Sequence, residues 1–216
     1  MHGPVIGLLG GSFDPIHVGH VQLARDALAH LPLDEVRFVP AAQPWQKGHV
    51  TDAAHRAHMV ELAIGREPRC VLDMHEIERG GTTYTIDTLR ALRAGAWREA
   101  SLVLIMGSDQ FERFDTWRDW QAVADLAHIV VARRAGVAAR LNPALEAFSR
   151  QRHCGPAELA HRAAGGVVEF PMTAIDASAT EARRLLANPA PDADRRLAQL
   201  LPPPVLDYIR VHRLYS

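Results

Sequence analysis

Cysteine is nearly absent: Cys70 and Cys154 are the only two in 216 residues. They form no CxxC pair, so a disulfide framework is excluded and both read as ordinary free thiols. No apolar run approaches the roughly 18 residues of a membrane span, and the first residues lack the charged start and long apolar core of a secretory leader. A cytoplasmic protein with no membrane partner is the expectation. Charge of one sign is missing as well, since 24 Lys and Arg face 25 Asp and Glu. That balance argues against a nucleic-acid polymer as partner, yet it leaves room for a local basic pocket around one nucleotide. Arg133-Arg134 and Arg195-Arg196 read as solvated faces. Neither G-x-G-x-x-G nor G-x-x-x-x-G-K-[ST] occurs, and no internal repeat or low-complexity tract is present. What is there is 48% apolar, which is enough for one substantial core and a single domain over residues 1–216.

The richest stretch is Val5-Ile-Gly-Leu-Leu-Gly-Gly-Ser-Phe-Asp-Pro-Ile-His-Val-Gly-His20. Its apolar start predicts a buried strand ended by Gly10 and Gly11, and the spacing of Val18, Val21, Ala24, Leu28 and Leu31 predicts a helix. A tight turn thus delivers His17 and His20 to one face of a helix start, where unpaired N–H groups attract anions. Gly10 and Gly11 let the backbone approach a phosphate, and the Ser12 hydroxyl adds a donor. The bland reading is a plain βα turn with surface histidines.

Further strands are expected at Val36–Val39, Val71–Met74, Leu102–Met106, Ala127–Ala132 and Val167–Phe170, the last ended by Pro171. Helices fall between them, so the fold expected is α/β: a doubly wound, mostly parallel, Rossmann-like sheet with helices on both faces. Thr51 or Asp52 caps the helix carrying Met59 and Val60, with His55, Arg56 and His58 toward its open side. Thr83 or Thr85 caps the helix at Ile86–Leu92. Residues 133–164 read as peripheral elaboration, and residues 205–216 as a C-terminal helix docked through Val205, Ile209 and either Val211 or Leu206.

Several side chains have a chemical reading beside a structural one. Lys47 is either a phosphate contact or a solvent-facing loop lysine. Gly107-Ser-Asp109 leaves the end of a central strand, where Asp109 can accept hydrogen bonds from sugar hydroxyls or simply cap the next helix. Tyr84 and Trp117 suit a ring-sized pocket, although Phe111, Phe114 and Trp120 beside them suit core packing. Ser178-Ala-Thr-Glu181 has capping-box spacing ahead of a second helix start, with Thr180 and Arg183 as anion contacts.

Gly10-Gly-Ser-Phe-Asp-Pro-Ile-His-Val-Gly-His20 resembles the signature of the nucleotidyltransferase superfamily with paired histidines. Three further stretches, Thr83-Tyr-Thr-Ile-Asp-Thr-Leu89, Gly107-Ser-Asp109 leading to Trp117, and Ile175-Asp-Ala-Ser-Ala-Thr-Glu-Ala-Arg183, are similar to the nicotinate-nucleotide adenylyltransferase branch. The resemblance covers roughly residues 5 to 187. It implies transfer of AMP from ATP to nicotinate mononucleotide, giving nicotinate adenine dinucleotide and pyrophosphate in NAD synthesis. It further implies catalytic roles for His17, His20 and Arg183. ATP and phosphate contacts are implied at Gly10, Gly11, Ser12, Phe13, Lys47, Gly107, Asp109, Ser178, Thr180 and Arg183, and mononucleotide contacts at Tyr84, Thr85, Asp109 and Trp117. The chain departs from the family text at Ala179 and Ala182, where a serine and an aliphatic residue are usual.

With neither cysteine in a motif, direct in-line attack by the mononucleotide phosphate is expected, and Mg²⁺ is expected to arrive on the triphosphate rather than on a protein site. Zinc is disfavoured because His17 and His20 lack a second ligand pair. A phosphopantetheine adenylyltransferase and a noncatalytic nucleotide-binding regulator are the competing readings. Oligomeric state, monomer or homodimer, is left open.

Overall fold

The computed structural model describes residues 3–44, 50–65, 67–134, 140–188 and 190–216. Its first half runs β1 (Val5–Gly11), α1 (Val18–His30), β2 (Glu35–Pro40), the two-residue β3 (Gln43–Pro44), α2 (Ala53–Ile64), β4 (Cys70–Leu72), α3 (His75–Arg79), the two-residue β5 (Thr82–Thr83) and α4 (Thr85–Ala94). The second half continues with β6 (Ser101–Gly107), α5 (Ser108–Phe111), α6 (Trp120–Leu126), β7 (His128–Arg134), α7 (Pro143–Arg152), β8 (Val167–Met172), α8 (Ala179–Ala187), α9 (Ala193–Leu200) and α10 (Pro203–His212).

Six strands form one sheet in the order β4-β2-β1-β6-β7-β8, and every neighbouring pair is parallel. The chain winds outward from β1 to β4, then begins again at β6 on the other side. Direction therefore reverses between β1 and β6, and a crevice opens there at the carboxyl ends of the strands. Burial on both faces explains the continuous apolar runs. In β6, Val103 and Ile105 join the core under α1, α2 and α8–α10, while Leu102, Leu104 and Met106 join the core under α4, α6 and α7. β3 and β5 make a separate two-residue pairing beside the crevice.

Four local expectations are corrected. β8 continues through Pro171 to Met172; as an edge strand it tolerates a residue without an N–H. Residues 133–164 are more than peripheral, because α7, capped by the Asn142 side chain on the Leu145 N–H at 3.0 Å, buries Leu145 and Phe148. The last helix spans Pro203–His212 and docks through Val205, Leu206 and Ile209, leaving Val211 77% exposed. Arg56 does not face the open side of α2: it is 0% exposed.

Of the alternative caps, Asp52 starts α2, accepting from the Ala54 N–H at 2.8 Å. For α4 neither threonine caps; Tyr84 holds that position. Both cysteines are free and buried, and burial foremost pushes the Cys70 thiol up to about 11. No helix among the described residues is long and apolar enough to cross a membrane.

Candidate active site

A cavity of about 700 Å³ opens at the β1/β6 switch point. Its floor is the carboxyl ends of β1 and β6, with Leu9, Gly10, Gly11, Ile105 and Gly107. A side-chain carbon at Gly10 would meet no protein atom within 4 Å. Packing therefore does not demand glycine there, and a bare backbone lies open to a ligand. At Gly107 the demand is local, since such a carbon would come within 2.6 Å of Asp109 Oδ1. The Asp109 carboxylate is folded back over the strand end and faces the cavity.

Two helix starts close one end. His17 is the N-cap of α1 and His20 its third residue, and their rings stack with centroids 3.7 Å apart. The His17 N–H donates to His20 Nδ1 at 3.2 Å. A neutral His20 then carries its proton on Nε2, which makes that nitrogen the donor of the ring. Beneath it Phe13, 1% exposed, packs edge-on at 5.1 Å and takes a left-handed backbone, φ 47°. A bulky residue in that region is strained and must be held by its surroundings. Phe13 thus supports the imidazole and is absent from the cavity lining.

Ser178 caps α8, accepting from the Glu181 N–H at 3.1 Å, and with Ala177 and Ala179 it lines the same cavity as His17, Gly19 and His20. A side-chain carbon at Gly19 would sit 3.9 Å from Ala177 Cβ, so the two starts lie close together. Asp26 of α1 fixes this approach by accepting from the Thr173 N–H at 2.7 Å, just beyond β8. The capping box expected of Glu181 is replaced by ion pairs with Arg196 at 2.8 and 3.0 Å.

At the other end Tyr84, Thr85 and Trp117 face inward. Trp117 leans edge-on against Phe114 at 5.4 Å and lines the cavity, whereas Phe111 and Phe114 are buried in the core. Arg118 lies 4.9 Å over the Tyr84 ring. Glu76 of α3 is 6% exposed and accepts from the Thr88 hydroxyl at 2.6 Å, which ties α3 to the first turn of α4. Burial, the largest cause, pushes its carboxyl up to about 7 against the opposing pull of Thr88 and Arg79.

The structure thus gathers Gly10, Gly11, Ser12, His17, His20, Tyr84, Thr85, Gly107, Asp109, Trp117 and Ser178 around one space. Thr180 and Arg183 stand behind it. Arg183 donates to the Asp14 carbonyl and to Thr180 Oγ1. Lys47 lies outside the described residues. Sequence reasoning missed Glu76, Arg118 and Arg134, all cavity-lining; Arg134, read as part of a solvated face, is the last residue of β7. The strand expected at Ala127–Ala132 stops two residues short of it, so its place at a strand end was not legible. No group of three or more His, Cys, Asp and Glu is gathered for a metal among the described residues.

The cytidylyltransferase-like family model matches residues 8–185. A relative from Bordetella petrii, named "Probable nicotinate-nucleotide adenylyltransferase", is 43% identical across 97% of this chain and 98% of its own. The chain belongs to the nicotinate-nucleotide adenylyltransferase family. A Dechloromonas aromatica relative of the same name is 40% identical across 97% of each chain. Among solved structures, Plasmodium falciparum nicotinic acid mononucleotide adenylyltransferase complexed with NaAD superposes with a TM-score of 0.75, covering 99% of this chain and 98% of that one. At 19% identity it shows that nicotinate-nucleotide adenylyltransferases of distant sequence share this fold.

Proposed function

We propose that this cavity transfers AMP from ATP to nicotinate mononucleotide, releasing pyrophosphate. The observation that carries the reading is that one cavity is lined both by the helix starts bearing His17, His20 and Ser178, on the α1 and α8 side of the sheet, and by Tyr84 and Trp117, which pack on the core of the opposite face. Its size suits two nucleotides held close together. The ATP phosphates lie over Gly10, Gly11 and Ser12, with the N–H groups of both helix starts and Ser178 as donors and Thr180 joining them only if it turns from Arg183. Lys47 is a further phosphate contact in this reading. Asp109 accepts from ribose hydroxyls, while Thr85 and its backbone hold the pyridine substituent and Trp117 stacks on the ring.

The mononucleotide phosphate attacks the α-phosphorus in line. A phosphate monoester, with a second pKa of about 6, is already dianionic near neutral pH and needs no base. Catalysis is positioning plus stabilisation of charge on the nonbridging oxygens and departing pyrophosphate. His17 and His20 serve as donors. Arg183, held on the Asp14 carbonyl, supports this end; direct phosphate contact requires it to leave that carbonyl. Mg²⁺ enters on the triphosphate as part of the substrate, neutralising charge while keeping most of its waters.

The test is pyrophosphate release from ATP measured in parallel with nicotinate mononucleotide, nicotinamide mononucleotide and phosphopantetheine. Release should be fastest with the first. Release with phosphopantetheine alone, or ATP binding without release under any condition, overturns the reading.

A further inference from the structure

The turn that carries Ser12, Phe13 and Asp14 into α1 is held from behind at three points. Arg56 donates to the Ser12 carbonyl at 2.8 Å, and Arg183 donates to the Asp14 carbonyl. The third comes from the far end of the sequence: the Tyr215 hydroxyl donates to Asp14 Oδ1 at 2.7 Å. Asp14 is 5% exposed, so its carboxylate needs buried donors, and the Tyr215 hydroxyl is one. After α10 the backbone turns left-handed at Arg213 (φ 52°) and again at Tyr215 (φ 66°), which swings the Tyr215 ring back toward the turn. Leu214 and Tyr215 pack against the core on the α1 side of the sheet. Burial and Asp14 hold the phenol above its ordinary titration range, so it remains a donor.

We propose that Tyr215 is a positioning residue of the transfer site, because its bond to Asp14 fixes the turn that aims His17 and His20 at the phosphates. This rests on the adenylyl-transfer reading above. Neither Tyr215 nor Asp14 lines the cavity, so the effect passes through the turn and not through substrate contact. Asp14 stands three residues before the α1 N-cap, with only Pro15 and fully buried Ile16 between, so little slack separates the bond from the imidazoles.

Tyr215→Phe removes the hydroxyl and keeps the packed ring. The expected result is a fall in kcat of about tenfold, as for catalytic groups displaced by a fraction of an ångström, with KM for nicotinate mononucleotide within about twofold of wild type, because the pyridine end is untouched. A purely structural role would lower Tm while leaving kcat of the folded enzyme unchanged, and that result overturns the proposal. Imidazole ¹H–¹⁵N spectra provide a readout independent of turnover: the His20 resonances should shift in Tyr215→Phe. Unshifted resonances overturn the positioning role even in an enzyme that proves inactive. Wild type that releases no pyrophosphate with nicotinate mononucleotide, while His20 still shifts in the variant, counts against the function and not against the link.

Discussion

At the scale of single residues, His20 illustrates how a common side chain is made specific. Its Nδ1 is occupied by the His17 N–H, one ring face is covered by His17, and its edge meets Phe13. The remaining nitrogen is a directed donor. His20→Ala should lower kcat/KM at least tenfold, the order expected when one charge-stabilising donor is removed; steady-state kinetics on the folded variant checks it. Glu76 shows the opposite device, a carboxyl held near neutrality. Its folded pKa of about 7 lies above the ordinary carboxyl value of 4.5, so the folded protein holds this proton more tightly. The penalty for ionising it is absent below about pH 4.5 and grows as pH rises through 7. At 1.36 kcal/mol per unit it reaches about 3 kcal/mol. Glu76→Gln keeps an acceptor for Thr88 without that penalty. The variant should gain about 1–3 kcal/mol relative to wild type at pH 8 over its difference at pH 5, measured by denaturant midpoints; an equal difference at both pH values contradicts the assignment.

At the scale of elements, what was legible followed from short-range rules. Apolar runs ending in Gly10-Gly11 and Gly107 marked the strand ends, and Ser178 marked the start of α8, because strand burial, glycine turns and caps are written within a few residues. Partnerships across the chain were not. Arg56 read as an open-side residue of α2, since nothing within its own helix reveals that its guanidinium reaches Thr51, Ser12 and Ala42 carbonyls at 2.7, 2.8 and 2.9 Å. Burial foremost lowers its pKa, while nearby Asp14 opposes this. Arg134 and Glu76 were hidden for the same reason: only the parallel register and the packing of α3 on α4 bring them to the cavity. Arg56→Ala would strand three carbonyls and should cost more than about 3 kcal/mol of stability. Arg56→Lys should recover only part, because an ammonium lacks the fork that spans separated acceptors. Thermal unfolding of both variants decides it, and a near-neutral alanine variant would contradict the clamp.

At the scale of the whole molecule, the order β4-β2-β1-β6-β7-β8 does the essential placing. Reversal at β1/β6 opens the crevice, α1 leaves one side of it, and the long return through β8 brings α8 back beside α1. The Plasmodium structure shares this fold at 19% identity. Two anion-attracting helix starts meeting at one cavity follow from topology more than from any single side chain. The most direct measurement is a crystal structure of the protein with a non-hydrolysable ATP analogue and nicotinate mononucleotide. The account predicts the triphosphate against His17, His20 and the Ser178 end of α8, with the pyridine ring on Trp117. A triphosphate bound away from either helix start would contradict it.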